Sequence, residues 1–220
     1  MHAEWEIVGK EGLNFFGKMS ASISHEIKNI LAIINENAGL LNDFTIMADK
    51  GIPIAPERLK TISTKIAEQV KRADLIVKNM NQFSHSVDEQ IQTITLHDLI
   101  EVVIKLSLRF AANRGIHLNQ QPAVSPVRII SSPFLLQNLI WLCLDKTMDH
   151  TGDKKTVSII AKSVHNGVII KFTYAGTIGE KSDTFPSAQT AALLLLLKAE
   201  LEINDEAGEL ILHLPASLLA

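Results

Sequence analysis

The chain has 220 residues, 46% of them hydrophobic, enough for one large domain or two small ones with real cores, and two units is the better expectation. With 20% charged residues and a formal net charge of -3, it has no long-range basic field, which argues against nucleic acid or an acidic membrane surface as a partner. Its single cysteine, Cys143, lies in the apolar run from Leu139 to Leu144, so there is no disulfide framework, and the chain fits a reducing compartment.

The N-terminus, with Glu4 and Glu6 near its start, lacks the basic region and apolar core of a signal peptide. The most apolar stretch, Ala191 to Leu197, is far shorter than the ~20 residues that span a bilayer. The expectation is a soluble, cytoplasmic chain with no membrane insertion.

From Phe16 the apolar positions Met19, Ile23, Ile27, Ile30, Ile34, Ala38 and Leu41 draw one stripe along a long amphipathic helix. The segment from Lys50 to Pro56, with Gly51, Pro53 and Pro56, breaks it into a turn. A second stripe follows at Leu59, Ile62, Ile66, Val70, Ala73, Val77, Met80 and Phe83, with Pro56 suited to the first turn of its helix. Two such helices make an antiparallel hairpin that shields only part of each stripe. Dimerisation into a four-helix bundle would cover the rest, as would packing by the second half of the chain; the dimer is favoured.

Composition shifts after about Gln90, giving a helical hairpin at 1–90 and a second domain at 91–220. Thr95 to Asn113 reads as a helix, Gly115 to Leu118 as the start of a strand, and Pro133 to His150 as a helix. Thr156 to Ala161 and Val168 to Thr173 read as strands of a hairpin turning at Asn166-Gly167. Gly176 to Pro186 reads as a loop, Ser187 to Glu200 as a helix, and Leu210 to Leu214 as a last strand. The fold class is α+β, a helical hairpin followed by an α/β sandwich.

His25 is where chemistry concentrates. It lies two residues from both Ile23 and Ile27, about 200° of helical rotation from each, so its imidazole should face away from the apolar seam. Asn29 falls one turn further along the same strip, with Ala21 and Ser22 one turn before, small residues that let another protein approach. An imidazole supplies an unprotonated, nucleophilic nitrogen near neutral pH, and Glu26 is placed to orient or deprotonate it. As an isolated tripeptide, Ser24-His25-Glu26 would be no more than a polar helix face.

The surrounding segment, from Phe15-Phe16 through Ser24-His25-Glu26-Ile27-Lys28-Asn29, resembles the H-box of two-component histidine kinases. Gln69 to Asp74 and Ile76 to Ser84 are similar to that family's second helix, and Leu96 to Ile100 and Ala111 to Leu118 to the entry into its catalytic lobe. The resemblance implies that His25 accepts a phosphoryl group, Glu26 assists, and Asn29 positions water when a partner's aspartyl phosphate is hydrolysed. Lys18, Ala21, Ser22 and Lys28 would then meet the partner, a response-regulator receiver. Ile30 stands where the family commonly has proline, so the helix should run on with less kink. Arg72 is expected to salt-link across the hairpin or to cap a polar layer.

The family's lobe holds magnesium with an Asn, reads adenine with an Asp, and closes a glycine lid. Aligned on Leu135-Leu136-Gln137 the Asn position is Asp145; aligned on His150-Thr151 it is Lys146. In the stretch from Phe172 to Gly179, Tyr174 stands at the Asp position and Ile178 at the second glycine, with Gly176 retained. Tyrosine cannot accept the adenine hydrogen bond as a carboxylate does, and isoleucine crowds the backbone. Ser187 to Ala192 holds no lid glycine. The expected function is therefore a dimeric histidine phosphotransferase that exchanges phosphate with a regulator, with neither ATP nor magnesium bound. The alternatives are an ATP-dependent sensor kinase core with a divergent nucleotide site and a non-enzymatic pseudokinase that binds a regulator. His85, His97, His117, His150, His165 and His213 show no metal-ligand spacing.

Overall fold

A computed structural model describes residues 2–122, 125–176, 178 and 185–219, with the side chains of 2–5 and 7 left aside. Helix α1 runs without a break over His2–Asp49, beginning well before Phe16, and α2 covers Pro56–Ser84. Pro56 opens α2 as its ring permits, since the first helical residue has no N–H obligation. A single 3-10 turn, His85–Val87, leads into strand β1, Gln92–Thr95.

Then come α3 (Leu96–Arg114), β2 (His117–Gln120), β3 (Arg128–Ser131), α4 (Pro133–Asp149), β4 (Thr156–Val164), β5 (Gly167–Thr173), α5 (Ala188–Leu196), β6 (Glu200–Asn204) and β7 (Glu209–Leu214). Five strands form one sheet in the order β2-β4-β5-β7-β6, parallel between β2 and β4 and antiparallel elsewhere. Strands β1 and β3 pair antiparallel as a separate ribbon.

Contacts divide the chain into two compact units. One holds the residues up to Met19 together with those from Gln82 onward, and the other is Ser20–Asn81, the body of the helical hairpin. In the first unit the core is set by alternation: Val157, Ile159 and Ala161 on β4, Val168, Ile170 and Phe172 on β5, and Leu210, Leu212 and Leu214 on β7 all turn inward. Leu136, Leu139, Ile140, Cys143 and Leu144 of α4 are completely buried, so α4 is the central helix of this unit. Phe83, at the end of α2, is also buried there, 5.5 Å from the Phe15 ring, 5.2 Å from Phe16 and 6.4 Å from Phe134.

Three sequence expectations are corrected. The β4–β5 hairpin turns at His165-Asn166; Gly167 is already paired with Val164 and has φ 151. A Cβ at Gly167 would collide with the Leu214 carbonyl oxygen, so close approach to β7, as much as turning, requires glycine. The helix expected over Ser187 to Glu200 stops at Leu196, because Lys198 takes φ 49 and Glu200 begins β6. Strands β1, β3 and β6 were not expected; each has five residues or fewer, too few for a two-residue period to stand out. Of the loop expected over Gly176 to Pro186, residues 177 and 179–184 lie outside the described residues.

Candidate functional site

Within the hairpin unit, His25 is exposed on α1, and so are Ala21, Ser24, Lys28, Asn29 and Ala32. These positions recur at helical spacing and form one continuous open strip with the imidazole near its middle. On the opposite side, Ile30 of α1 and Ile62 of α2 are buried, and Ile23, Glu26 and Ile27 are half-buried. Glu26 follows His25 directly and turns toward α2, where Arg72 Nη2 approaches its Oε2 at 3.9 Å. Of the two roles expected of Arg72, the structure has the link between the helices, at a length and exposure that make the pair weak.

Ser22 departs from expectation: at 3% exposed it lies on the seam and not on the strip. The buried line runs Met19, Ser22 and Ile30, with half-buried Glu26 between, so the seam passes through the polar positions that the apolar count skipped. Ser22 therefore cannot offer its side chain to a docking partner.

Lys18 belongs to the other unit, and its charge is engaged there. Its Nζ lies 3.4 Å from Asp145 Oδ2, 4.7 Å from the Trp141 ring centroid and 5.3 Å from that of Phe110. Asp145 Oδ1 also forms an ion pair with Arg114 Nη1 at 2.8 Å, while Arg114 Nη2 lies 3.0 Å from Asp149 Oδ1. The carboxylate at one of the two candidate magnesium positions is thus flanked by two of the chain's own cations. At the other, Lys146 stands with its Nζ 5.5 Å from the Phe185 ring centroid.

Tyr174 is buried and donates its hydroxyl to Asp205 Oδ1 at 3.3 Å; the Ile178 N–H donates to the same oxygen at 2.7 Å. Burial and the Asp205 carboxylate both push the Tyr174 hydroxyl upward from its ordinary pKa. Ile178 is itself buried, and Gly176 packs so closely on the His150 carbonyl oxygen that a Cβ would collide with it. Sequence reasoning missed Asp205 and Arg114, and no local pattern marks either one: each is brought to its partners by tertiary folding.

Residues 17–88 match the family model of the His Kinase A (phospho-acceptor) domain. Among solved structures, ShkA, determined full-length in complex with AMPPNP, aligns with a TM-score of 0.50 at 14% identity over 86% of this chain and 45% of that one. The Acinetobacter baumannii histidine kinase AdeS aligns over 87% of this chain and 98% of that one at 13% identity and a TM-score of 0.47. Histidine kinase ThkA, solved in complex with the response regulator protein TrrA, aligns over 98% and 66% at 19% identity and a TM-score of 0.48. No helix among the described residues is long and apolar enough to cross a membrane. Residues 17–88 are thus similar to a His Kinase A phospho-acceptor domain, and over 86% of its length the chain shares the fold of ShkA.

Proposed function

We propose that His25 carries a phosphoryl group to or from the receiver aspartate of a response regulator, and that the chain works as a homodimer paired through its hairpins. The observation that supports this most is the exposed imidazole at the middle of an open helical strip, inside the segment that matches a phospho-acceptor domain. In transfer from a regulator, the lone pair of a ring nitrogen attacks phosphorus. The N–P bond forms as the P–O bond to the aspartyl carboxylate breaks, and the freed carboxylate keeps the electron pair. Glu26, next to His25 in the chain and held only weakly by Arg72, swings to the ring to take up its proton; Lys28 offers a cation to the phosphoryl oxygens, and Ala21 leaves room for approach. Asn29, one turn beyond His25, positions a water for hydrolysis of the aspartyl phosphate.

For the phosphoryl donor, the family match and the lobe fold favour ATP, as in a sensor kinase core. Exchange with phosphorylated regulators without ATP is the second reading, and one set of observations favours it. Tyr174 and Ile178 are buried and tied to Asp205, and Asp145 is flanked by Lys18 and Arg114, so these residues fit adenine and magnesium poorly. Labelling separates the cases. Saturable Mg-ATP binding with label passing from γ-labelled ATP to His25 identifies the kinase; label only from a phosphorylated receiver identifies the phosphotransferase. No label at His25 from either source ends the proposal.

A further inference from the structure

The pair between Arg72 and Glu26 is too slack to account for an arginine at that position. Nη2 stands 3.9 Å from Oε2, and the Arg72 side chain is 59% exposed. A pair so long and so wet contributes little to stability. The place of Arg72 on the hairpin is more informative than its bond. Within the hairpin unit, the Arg58 guanidinium lies 5.0 Å from the Phe44 ring centroid, near the turn, and Arg72 meets Glu26 further from it, so α1 and α2 run antiparallel.

On α1 the seam passes through half-buried Glu26, and His25 precedes it by one residue; on α2 it passes through half-buried Ala73, and Arg72 precedes that by one residue. Each step back along a helix turns the side chain about 100° away from the seam. In an antiparallel pair, equal turns against the chain direction lead to the same edge of the seam. Arg72 therefore comes out on the edge that carries His25, and its contact with Glu26 puts it at the same level. His25, Lys28 and Arg72 are all exposed, Lys28 one turn beyond His25 on the same helix.

A phosphoryl group on His25 brings roughly 1.5 to 2 negative charges and three acceptor oxygens to this edge. When Glu26 turns to the imidazole, Arg72 loses its one close carboxylate contact and an exposed guanidinium is left beside the incoming dianion. Lys28 supplies a point charge, whereas a guanidinium presents a planar fork that holds two oxygens at once. We infer that Arg72 is a phosphoryl-binding residue: released by Glu26, its guanidinium holds two oxygens of the phosphoryl group on His25 from α2, while Lys28 meets the group from α1. The inference rests on the reading of His25 as the phosphoryl carrier. Glu26 and the phosphoryl group then take the same cation in turn, and no unpaired charge is left on the edge at either stage.

Phosphoramidate tests this on the full chain without a partner protein: its P–N bond breaks as the bond from phosphorus to the His25 ring nitrogen forms, and ammonia leaves with the electron pair. Phosphorus NMR follows the phosphohistidine, with His25→Ala assigning the resonance. The expected result is labelling slowed about tenfold or more in Arg72→Met and partly recovered in Arg72→Lys. The phosphohistidine resonance should also shift in Arg72→Met, while the melting temperature of the unphosphorylated chain stays at the wild-type value. An unchanged rate and resonance in Arg72→Met would overturn the inference, and so would a loss of rate that only tracks a fall in melting temperature. Label at His25 that is indifferent to Arg72 sinks this inference alone; wild-type chain without label at His25 sinks the carrier reading and this inference with it. If Arg72→Met does not fold, Arg72→Gln takes its place under the same criteria.

Discussion

His25 owes its exposure to two residues of helical offset from the isoleucines on either side, and the same exposure makes it dispensable for folding. His25→Ala should abolish acid-labile phosphate on the chain while stability, followed by thermal unfolding, stays within about 0.5 kcal/mol. Glu26→Gln should keep the hairpin and slow transfer by about a hundredfold, read from single-turnover labelling with a phosphorylated receiver. Cys143 gives a pH test. Burial pushes its thiol upward, so the folded chain keeps a proton that the unfolded chain releases above the ordinary thiol range near pH ~8.5. The sign follows: this contribution is intact below that pH and is lost as pH rises, at up to about 1.4 kcal/mol per pH unit. Cys143→Ala should flatten the alkaline loss of stability in urea titrations; an unchanged slope would show that the thiol is not what titrates. At this scale the sequence disclosed the outward-facing imidazole. It concealed Ser22, because a hydrophobic count gives a serine no weight although its rotation places it on the seam.

Among the elements, the first turns of α1 are the least expected. The stripe read from Phe16 onward marks a helix of the hairpin, yet α1 begins at His2, and its residues up to Met19 make their contacts with the lobe. The aromatic group of Phe15, Phe16, Phe83 and Phe134 and the pairing of Lys18 with Asp145 hold that segment. Phe83→Ala, at a residue with no exposed surface, should cost about 3–5 kcal/mol of lobe stability by chemical denaturation. The ends of α3 and α5 show how far local signals reach. Gly115, at φ 65, closes α3 where a glycine is expected, its N–H returning to the carbonyls of Ala111 and Ala112. After α5 the chain turns at Lys198 with no glycine or proline to mark it, so the sequence reads helix through to Glu200. Strand β6 is defined by pairing in a hairpin with β7, Leu201 against Leu212 and Ile203 against Leu210, and its own alternation is too short to announce it.

For the molecule as a whole, the hairpin leaves Leu31, Leu40, Leu59, Val70, Leu75 and Val77 exposed within the chain, which motivates the proposed dimer. Sedimentation should give twice the chain mass of 24.2 kDa, and Leu31→Glu combined with Leu75→Glu should shift it toward the monomer. A wild-type monomer at micromolar concentration would remove the dimer from the proposal.

The sequence by itself determined the two long helices, the break between them, the outward face of His25 and most of the central strands. Periodicity, proline and glycine act over a few neighbouring residues, and these features need nothing more. Only the tertiary structure decided that Lys18 is drawn to Asp145, that Arg114 reaches both Asp145 and Asp149, and that Tyr174 and Ile178 share Asp205. Each of these depends on what long-range packing places opposite a side chain, and no local pattern encodes that.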